Sequence, residues 1–329
     1  MIHRTLGRSG IRISGMGLGC WAIGGPYVTE DGNPCGWGDV DDAESIRAIH
    51  RALEMGVTFF DTAECYGAGH SEKVLGEALE GRRGQVVIAS KFGHNVDEQK
   101  RQATGSDPSI EHLNRSCETS LKRLRTDYLD VLQFHLGGYD ADKVDPLIEA
   151  LEKLVEAGKV RCYGWSTDDP ARAAAFARGK HCSVVQQQLN IFEGNEQTLA
   201  LAERENLASI NRGPLAKGIL TAKFTRGTQL PDNDVRHNWD TREGAIAQAI
   251  DTASAIREVL TSDGRTPAQG AIGWLWARSA VTVPIPGFKT VAQVEDNAGA
   301  LEQGPLNESQ MRQIEELLDQ SGWQRQRFA

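Results

Sequence analysis

Short apolar runs alternate with amphipathic helical patterns along nearly the whole chain. Eight of these runs are almost continuously apolar or rich in β-branched residues, which is typical of parallel strands covered on both faces. The predicted strands span residues 16–20, 58–61, 86–91, 129–135, 160–165, 183–187, 208–212 and 282–285. The alternation therefore favours a fold in which each strand is followed by a helix.

The helical patterns carry clear start signals. Residues 42–55, 108–125 and 146–157 each place apolar side chains on one face. Four capping residues precede a proline, the residue best tolerated at the first helical position: Asp107, Asp145, Asp169 and Thr266. We expect a helix to begin after each of them.

Eight strand–helix units within 329 residues fit a (β/α)8 TIM barrel, interpreted as one domain covering residues 1–329. Residues 2–13 predict a β-hairpin that could close the N-terminal end of this barrel. Irregular stretches at 22–39, 93–107 and 213–242 would lie over the C-terminal mouth. An open doubly wound sheet is the alternative, but the glycine-rich segment after the first strand lacks the Gly-x-Gly-x-x-Gly spacing of a dinucleotide-binding turn.

Composition narrows the classes of partner. The chain is 40% hydrophobic and 25% charged with a net charge of −9, and it has no long basic stretch, which argues against nucleic acid. No apolar run approaches the ~20 residues that span a bilayer, and the first residues lack a secretory core. Six cysteines without C-x-x-C or zinc-finger spacing predict reduced thiols, no metal site and a cytoplasmic location. The oligomeric state is left open.

Four titratable residues stand at the ends of consecutive predicted strands or just beyond them. Asp61 ends the second strand, with Tyr66 in the following loop, Lys91 ends the third and His135 ends the fourth. The carboxyl ends of parallel barrel strands meet at one rim, so these side chains are expected to share a pocket.

Together these groups predict general acid catalysis. A Lys91 ammonium beside Tyr66 would lower the pKa of the phenol, and Asp61 would keep Lys91 charged. His135 could donate a hydrogen bond to a substrate oxygen while Tyr66 protonates a developing alkoxide. The non-catalytic alternatives are a structural ion pair, a loop aromatic and a core histidine; four such groups at neighbouring strand ends favour function.

The segment Asp61-Thr62-Ala63-Glu64-Cys65-Tyr66-Gly67 resembles the Asp-Thr-Ala-x-x-Tyr-Gly motif of the aldo-keto reductases. Lys91 and His135 fall where that family has its other two catalytic positions, and the resemblance runs from about residue 4 to residue 301. It implies that Tyr66 is the proton donor, that Asp61 and Lys91 tune it, and that His135 orients a carbonyl. It also implies hydride transfer from a nicotinamide cofactor, usually NADPH.

The same resemblance implies a set of cofactor contacts. Near the nicotinamide these are Trp21, Ser166, Thr167, Gln186, Arg212, Pro214 and Leu215; along the phosphates and adenosine they are Gly218, Leu220, Lys223, Gly287, Lys289, Thr290, Gln293 and Asn297. Thr167 and Arg212 depart from the asparagine and tyrosine that are common there. A guanidinium is planar and could stack on the ring, and its charge would disfavour the oxidised nicotinamide.

The predicted substrate pocket is aromatic. Trp21, Trp37 and Phe92 are its expected walls, which suit aromatic or alicyclic carbonyls and equally suit sugars. Three other functions remain: a Schiff-base aldolase with Lys91 as nucleophile, a cofactor-binding regulatory subunit, and a non-catalytic barrel.

Overall fold

A nearly closed parallel barrel forms the centre of the molecule in the computed structural model, which describes residues 1–324. Its eight strands are β3 (Gly17–Gly19), β4 (Phe59–Asp61), β5 (Val87–Phe92), β8 (Leu129–Phe134), β9 (Val160–Ser166), β10 (Cys182–Gln188), β11 (Ala208–Arg212) and β12 (Thr282–Pro284). They pair in chain order, and the Gly19 N–H donates to the Pro286 carbonyl at 2.9 Å, which joins the last strand region to the first. The predicted barrel is confirmed.

Ten α-helices accompany the strands in the described range. They are α1 (Asp42–Glu54), α2 (His70–Ala78), α3 (Ile110–Arg123), α4 (Asp145–Glu156), α5 (Pro170–Phe176), α6 (Glu196–Arg204), α7 (Gly244–Leu260), α8 (Pro267–Arg278), α9 (Val291–Gln303) and α10 (Glu308–Gln320). The largest apolar cluster lies between the strands and these helices, as expected when strands are covered on their outer face. No helix within residues 1–324 is both long and apolar enough to cross a membrane.

The predicted N-terminal hairpin is present and plugs the barrel. Strands β1 (His3–Thr5) and β2 (Arg12–Ser14) pair antiparallel. Leu6 and Ile11 beside them are buried in one cluster with inward-facing barrel residues such as Val131 and Ile210. The turn approaches the barrel so closely at Gly7 (φ +46°) that a Cβ there would lie 2.4 Å from the Ser183 carbonyl oxygen. A side chain at this position would collide with the barrel, so glycine is needed here.

Three local predictions need correction. Residues 93–107 are not irregular, since they contain the antiparallel strands β6 (His94–Asp97) and β7 (Gln102–Ser106). Helix α3 begins two residues late because the Ser109 side chain, not Asp107, accepts from a backbone N–H of the first turn. Asp145 is the first residue of α4 rather than its cap, and it forms an ion pair with Arg178 at 2.6 Å. Asp169 and Thr266 do cap their helices.

The interpretation of residues 1–329 as one domain stays a prediction, and it includes residues 325–329, which lie outside the described part of the chain.

Candidate active site

The side chains predicted from the strand ends come together at the C-terminal mouth. Lys91 Nζ donates to Asp61 Oδ1 at 2.5 Å, to the Thr62 carbonyl at 2.8 Å and to the Tyr66 hydroxyl at 3.1 Å. Lys91 is 0% exposed and Asp61 1%. The His135 ring packs edge-on against the Tyr66 ring, with centroids 5.9 Å apart. The arrangement is a buried ion pair whose cation reaches a phenol.

Strand alternation explains which side chains enter the barrel. Val87 and Ala89 of β5 lie in the interior cluster, so Lys91 continues the same inward line. Phe92 therefore points outward, is 0% exposed and stacks on Phe134 at 5.2 Å. The prediction that Phe92 lines the substrate pocket is wrong because one residue along a strand changes the face.

Two amides complete the surroundings of Asp61. Its Oδ2 accepts from Gln133 Nε2 at 3.0 Å and from Gln186 Nε2 at 2.7 Å. All three side chains are buried, so the carboxylate is fully satisfied and the amides are fixed. Gln133 was missed at sequence level, although a polar residue two positions before His135 must share its face of the strand.

The electrostatics differ from expectation at Tyr66. Burial, followed by the negative charge of Asp61, raises the pKa of the phenol well above its usual value of 10.0, whereas the sequence predicted a lowered pKa. Burial and then the charge of Lys91 hold the pKa of His135 well below 6.5. At neutral pH Tyr66 therefore keeps its proton, and His135 is a neutral hydrogen-bonding group.

An aromatic wall adjoins these groups. The Trp21 ring stacks on the Tyr66 ring at 5.8 Å with an interplanar angle of 19°, and Trp37 meets Trp21 edge-on at 5.2 Å. Both tryptophans line a cavity of about 950 Å³ that also contains Asp61, Tyr66 and His135. The structure thus places Trp21 and Trp37 where a substrate wall was predicted.

Arg212 is paired with a residue that the sequence reasoning overlooked. Its guanidinium makes two hydrogen bonds to the Asp168 carboxylate, at 3.0 and 2.7 Å. Such a bidentate pair fixes the plane of the guanidinium but offsets its charge. The argument that Arg212 disfavours an oxidised nicotinamide by charge is therefore weakened, whereas its planar surface remains available to the cavity.

A smaller cavity of about 650 Å³ adjoins the first at His135 and Arg212. Ser166 and Thr167 line this smaller cavity and not the larger one. The Thr167 hydroxyl donates to the Gly137 carbonyl at 2.9 Å. These two residues therefore flank the main cavity from the side of β9.

Lys289, a predicted cofactor contact, lines the main cavity. Lys289 Nζ donates to the Trp37 carbonyl at 2.8 Å and the Asp39 carbonyl at 3.3 Å. The Gln293 side chain accepts a hydrogen bond from the Lys289 N–H, and the Asn297 side chain donates one to the Gly287 carbonyl. The other predicted cofactor contacts that line this cavity are Gln186, Pro214, Leu215, Gly218, Lys223 and Gly287.

Two predicted contacts lie elsewhere. Leu220 is 1% exposed and belongs to an apolar cluster with residues of α7 and α8, so its side chain does not face the cavity. Thr290 uses its hydroxyl to cap α9, accepting from the Gln293 N–H at 3.3 Å, and does not line either cavity. Both corrections concern side-chain direction, which a motif match does not specify.

Glu64, inside the Asp-Thr-Ala segment, is a buried structural carboxylate. Its Oε1 accepts from the N–H groups of Gly93 and His94, each at 2.7 Å, and from His112 Nε2 at 3.2 Å. Its Oε2 accepts from the Ser116 hydroxyl. Glu64 therefore fixes the backbone after β5, which places His94 beside His135. In the sequence, the available signal for this structural role was an acidic residue within a motif that is otherwise expected to be buried.

Comparison with known proteins agrees with this geometry. The model of the aldo/keto reductase family matches residues 15–319. Aldo-keto reductase YhdN of Bacillus subtilis is 29% identical over 312 residues, covering 90% of this chain and 87% of that protein.

Two solved structures are similar over most of their length. The glycerol dehydrogenase AKR11B4 of Gluconobacter oxydans has a TM-score of 0.82 and 27% identity, covering 97% of this chain and 95% of that one. An aldo-keto reductase of Klebsiella pneumoniae in complex with NADPH has a TM-score of 0.70 and 25% identity, covering 96% and 95%. With the family model spanning nearly the whole chain, this protein belongs to the aldo/keto reductase family.

Proposed function

We propose that the protein reduces an aldehyde or ketone to an alcohol with NADPH, using Tyr66 as general acid. The observation that carries this proposal is the unbroken contact from Asp61 through Lys91 to the Tyr66 hydroxyl, which opens into the main cavity. The NADPH-bound relative of K. pneumoniae supports the choice of cofactor.

Each residue has a defined part. The reduced nicotinamide, when bound, supplies a hydride to the carbonyl carbon. The carbonyl oxygen accepts hydrogen bonds from Tyr66 and from neutral His135, and Tyr66 gives its proton to that oxygen. Lys91 already donates to the Tyr66 hydroxyl, so the phenolate left behind is stabilised without rearrangement. Asp61 holds Lys91 in place and offsets its charge.

The residues present fit a dinucleotide phosphate. Besides Arg212, four basic side chains line the cavity, namely Lys217, Lys223, Arg236 and Lys289, and of these Arg236 is paired with Asp234. The Val291 N–H at the start of α9 already donates to Glu44 at 2.9 Å, so the adenosine-side phosphate would depend mainly on Lys289. Lys289 is held by carbonyls rather than by a carboxylate in direct contact, which leaves its charge for an anion.

The aldolase alternative fits poorly. A Schiff-base lysine must present a free lone pair. Lys91 instead directs its three donors at Asp61, Thr62 and Tyr66, so all of its hydrogen-bonding positions are already used. A measurement of turnover distinguishes the enzyme from the regulatory-subunit alternative.

The test combines binding and turnover. Purified protein is titrated with NADPH and with NADH while tryptophan fluorescence is followed, because Trp21 and Trp37 line the cavity. Loss of reduced-nicotinamide absorbance is then followed with a panel of aldehydes and ketones. We expect turnover and a preference for NADPH that Lys289→Met abolishes, with Lys180→Met as a remote control. Cofactor binding without turnover of any carbonyl would favour the regulatory subunit instead.

The absence of nucleic-acid partners and the cytoplasmic location stay predictions.

A further inference from the structure

We propose that Cys65, His94 and His135 form a Zn²⁺-binding site in the wall of the main cavity, and that Zn²⁺ bound there inhibits the enzyme. The three residues come from different parts of the chain: the loop after β4, the start of β6 and the residue after β8. All three line the main cavity.

One ligand pair already has the separation that a zinc site requires, and the third ligand lies nearby. Cys65 Sγ and His135 Nδ1 are 3.6 Å apart. Zn–S and Zn–N bonds of about 2.3 and 2.0–2.1 Å at a tetrahedral angle require roughly this same separation. One ligand atom from each residue lies within 4.8 Å of the other two. Rotation of the His94 ring, at the cost of a hydrogen bond to the backbone of His135 or Gly105, would supply the remaining contraction.

Backbone contacts fix the two histidines in place, while the His94 ring also hydrogen-bonds with backbone groups of His135 and Gly105, so a metal ion must replace one of these ring contacts. The His94 N–H donates to Glu64, and the His135 N–H donates to the Phe92 carbonyl at 2.8 Å. The two imidazole rings meet edge-on with centroids 5.1 Å apart. Zn²⁺ binds a thiolate, so Cys65 gives its thiol proton to solvent as the Zn–S bond forms. Because all three residues line the cavity, the fourth tetrahedral position would face it and could hold a water molecule.

Charges on both sides face the site. The cations Lys91 and Arg212 oppose a divalent ion, whereas Asp61 and Glu64 favour it. Lys91 is paired with Asp61, and Arg212 with Asp168. The nearby cations are therefore largely compensated, and the soft thiolate with two imidazoles determines the preference for Zn²⁺ over Mg²⁺ or Ca²⁺.

Inhibition follows from the shared histidine, and this step rests on the proposed function. A metal on His135 occupies the place where the carbonyl oxygen would be bound. Zn²⁺ should therefore compete with the carbonyl substrate and raise its apparent KM, without competing with NADPH at the far end of the cavity.

Binding is tested first without turnover, so that the result does not depend on the proposed reaction. Chelator-treated protein, kept reduced with a phosphine, is titrated with Co²⁺ while thiolate-to-cobalt charge-transfer absorption is recorded, and Zn²⁺ is then added in competition. We expect a one-to-one band that Zn²⁺ displaces. Cys65→Ala should abolish the band, and His94→Gln should weaken binding by about 10–100-fold or more, as even second-shell changes at metal sites do.

Cys35→Ala is the matched control, because Cys35 also lines the cavity but lies outside the cluster. It should leave the band and the Zn²⁺ affinity unchanged. If wild-type protein gives no thiolate band, or if Cys35→Ala removes it, the proposed site is wrong.

Inhibition is tested separately, with each variant compared with its own metal-free rate. Zn²⁺ should raise the KM for the carbonyl in wild type and in Cys35→Ala, and much less in His94→Gln. Zn²⁺ that lowers kcat without changing this KM would contradict the assignment of inhibition to the site. Absence of turnover in any protein would instead count against the proposed function and leave the Co²⁺ result standing.

Discussion

Two carboxylates are buried on barrel strands, and they have different roles. Asp61, at the C-terminal end of β4, is paired with Lys91 at 2.5 Å. Asp130, near the start of β8, is paired with Arg83 and Arg161, each at 2.7 Å, and accepts from the Ile88 N–H at 2.9 Å. Neither carboxylate is more than 1% exposed.

The difference lies in what the cation touches next. Lys91 carries a compact charge with a third donor, and that donor reaches the Tyr66 hydroxyl at the cavity. Arg83 directs its remaining donors to the Thr126 side chain and to backbone carbonyls, and its guanidinium stacks on Tyr128. Burial of an ion pair is therefore not by itself a sign of catalysis. What indicates catalysis is contact between the pair and a titratable group that lines a cavity.

Lys91→Met is expected to have the largest effect. It removes the cation that is paired with buried Asp61, and it removes the donor that contacts the Tyr66 hydroxyl. Asp61 would be left buried without its cation, which typically lowers the free energy of unfolding by about 3–5 kcal/mol. The rate kcat should also fall by at least ~100-fold. Urea unfolding and steady-state kinetics measure the two effects. An Asp61→Asn/Lys91→Met double variant should regain stability but not activity; recovery of both would contradict the assigned role.

Tyr66→Phe is expected to lower kcat by about 10²–10⁴-fold, because only the proton donor is lost. NADPH binding, followed by tryptophan fluorescence, should remain within a few-fold of wild type. Tyr27→Phe is the matched control: this phenol also lines the cavity but accepts from Trp21 Nε1 at 3.1 Å and does not contact Lys91. Equal losses in both variants would show that Tyr66 acts through packing.

Asp130→Asn is expected to affect stability alone. It weakens charge-assisted bonds to two arginines and should lower the free energy of unfolding by about 1–3 kcal/mol. Because Asp130 has no contact with the cavity groups, kcat/KM should stay within twofold of wild type. A large loss of activity in a folded variant would remove the distinction between the two carboxylates.

The smallest expected effect is that of pH. The pKa of Tyr66 is raised above 10.0, so its proton is retained until the pH exceeds that value. The pKa of His135 is lowered below 6.5, so the imidazole stays neutral down to more acidic pH. Neither group titrates between these values, and kcat/KM for reduction should be flat from about pH 6.5 to 9. A break near 7 that His135→Gln removes would show that His135 titrates there.

Sequence reasoning succeeded where a local pattern maps directly onto a strand end. Strand β11 has the predicted bounds, and Asp61, Lys91 and His135 stand at or next to the ends of their strands. It failed where the outcome depends on side-chain direction or on distant partners. Phe92 turns outward, Leu220 faces an apolar cluster, and Asp168 and Gln133 contact residues far along the chain.

The sequence by itself determined the barrel and the meeting of four titratable groups, because parallel strands of alternating units bring their carboxyl ends to one rim. Only the tertiary structure decided their electrostatic state. The pKa of Tyr66 depends on how deeply its phenol is buried as well as on its charged neighbours, and burial proved the larger influence. The same folding brought Cys65, His94 and His135 within reach of one metal ion, although no spacing of cysteines and histidines in the chain indicates it.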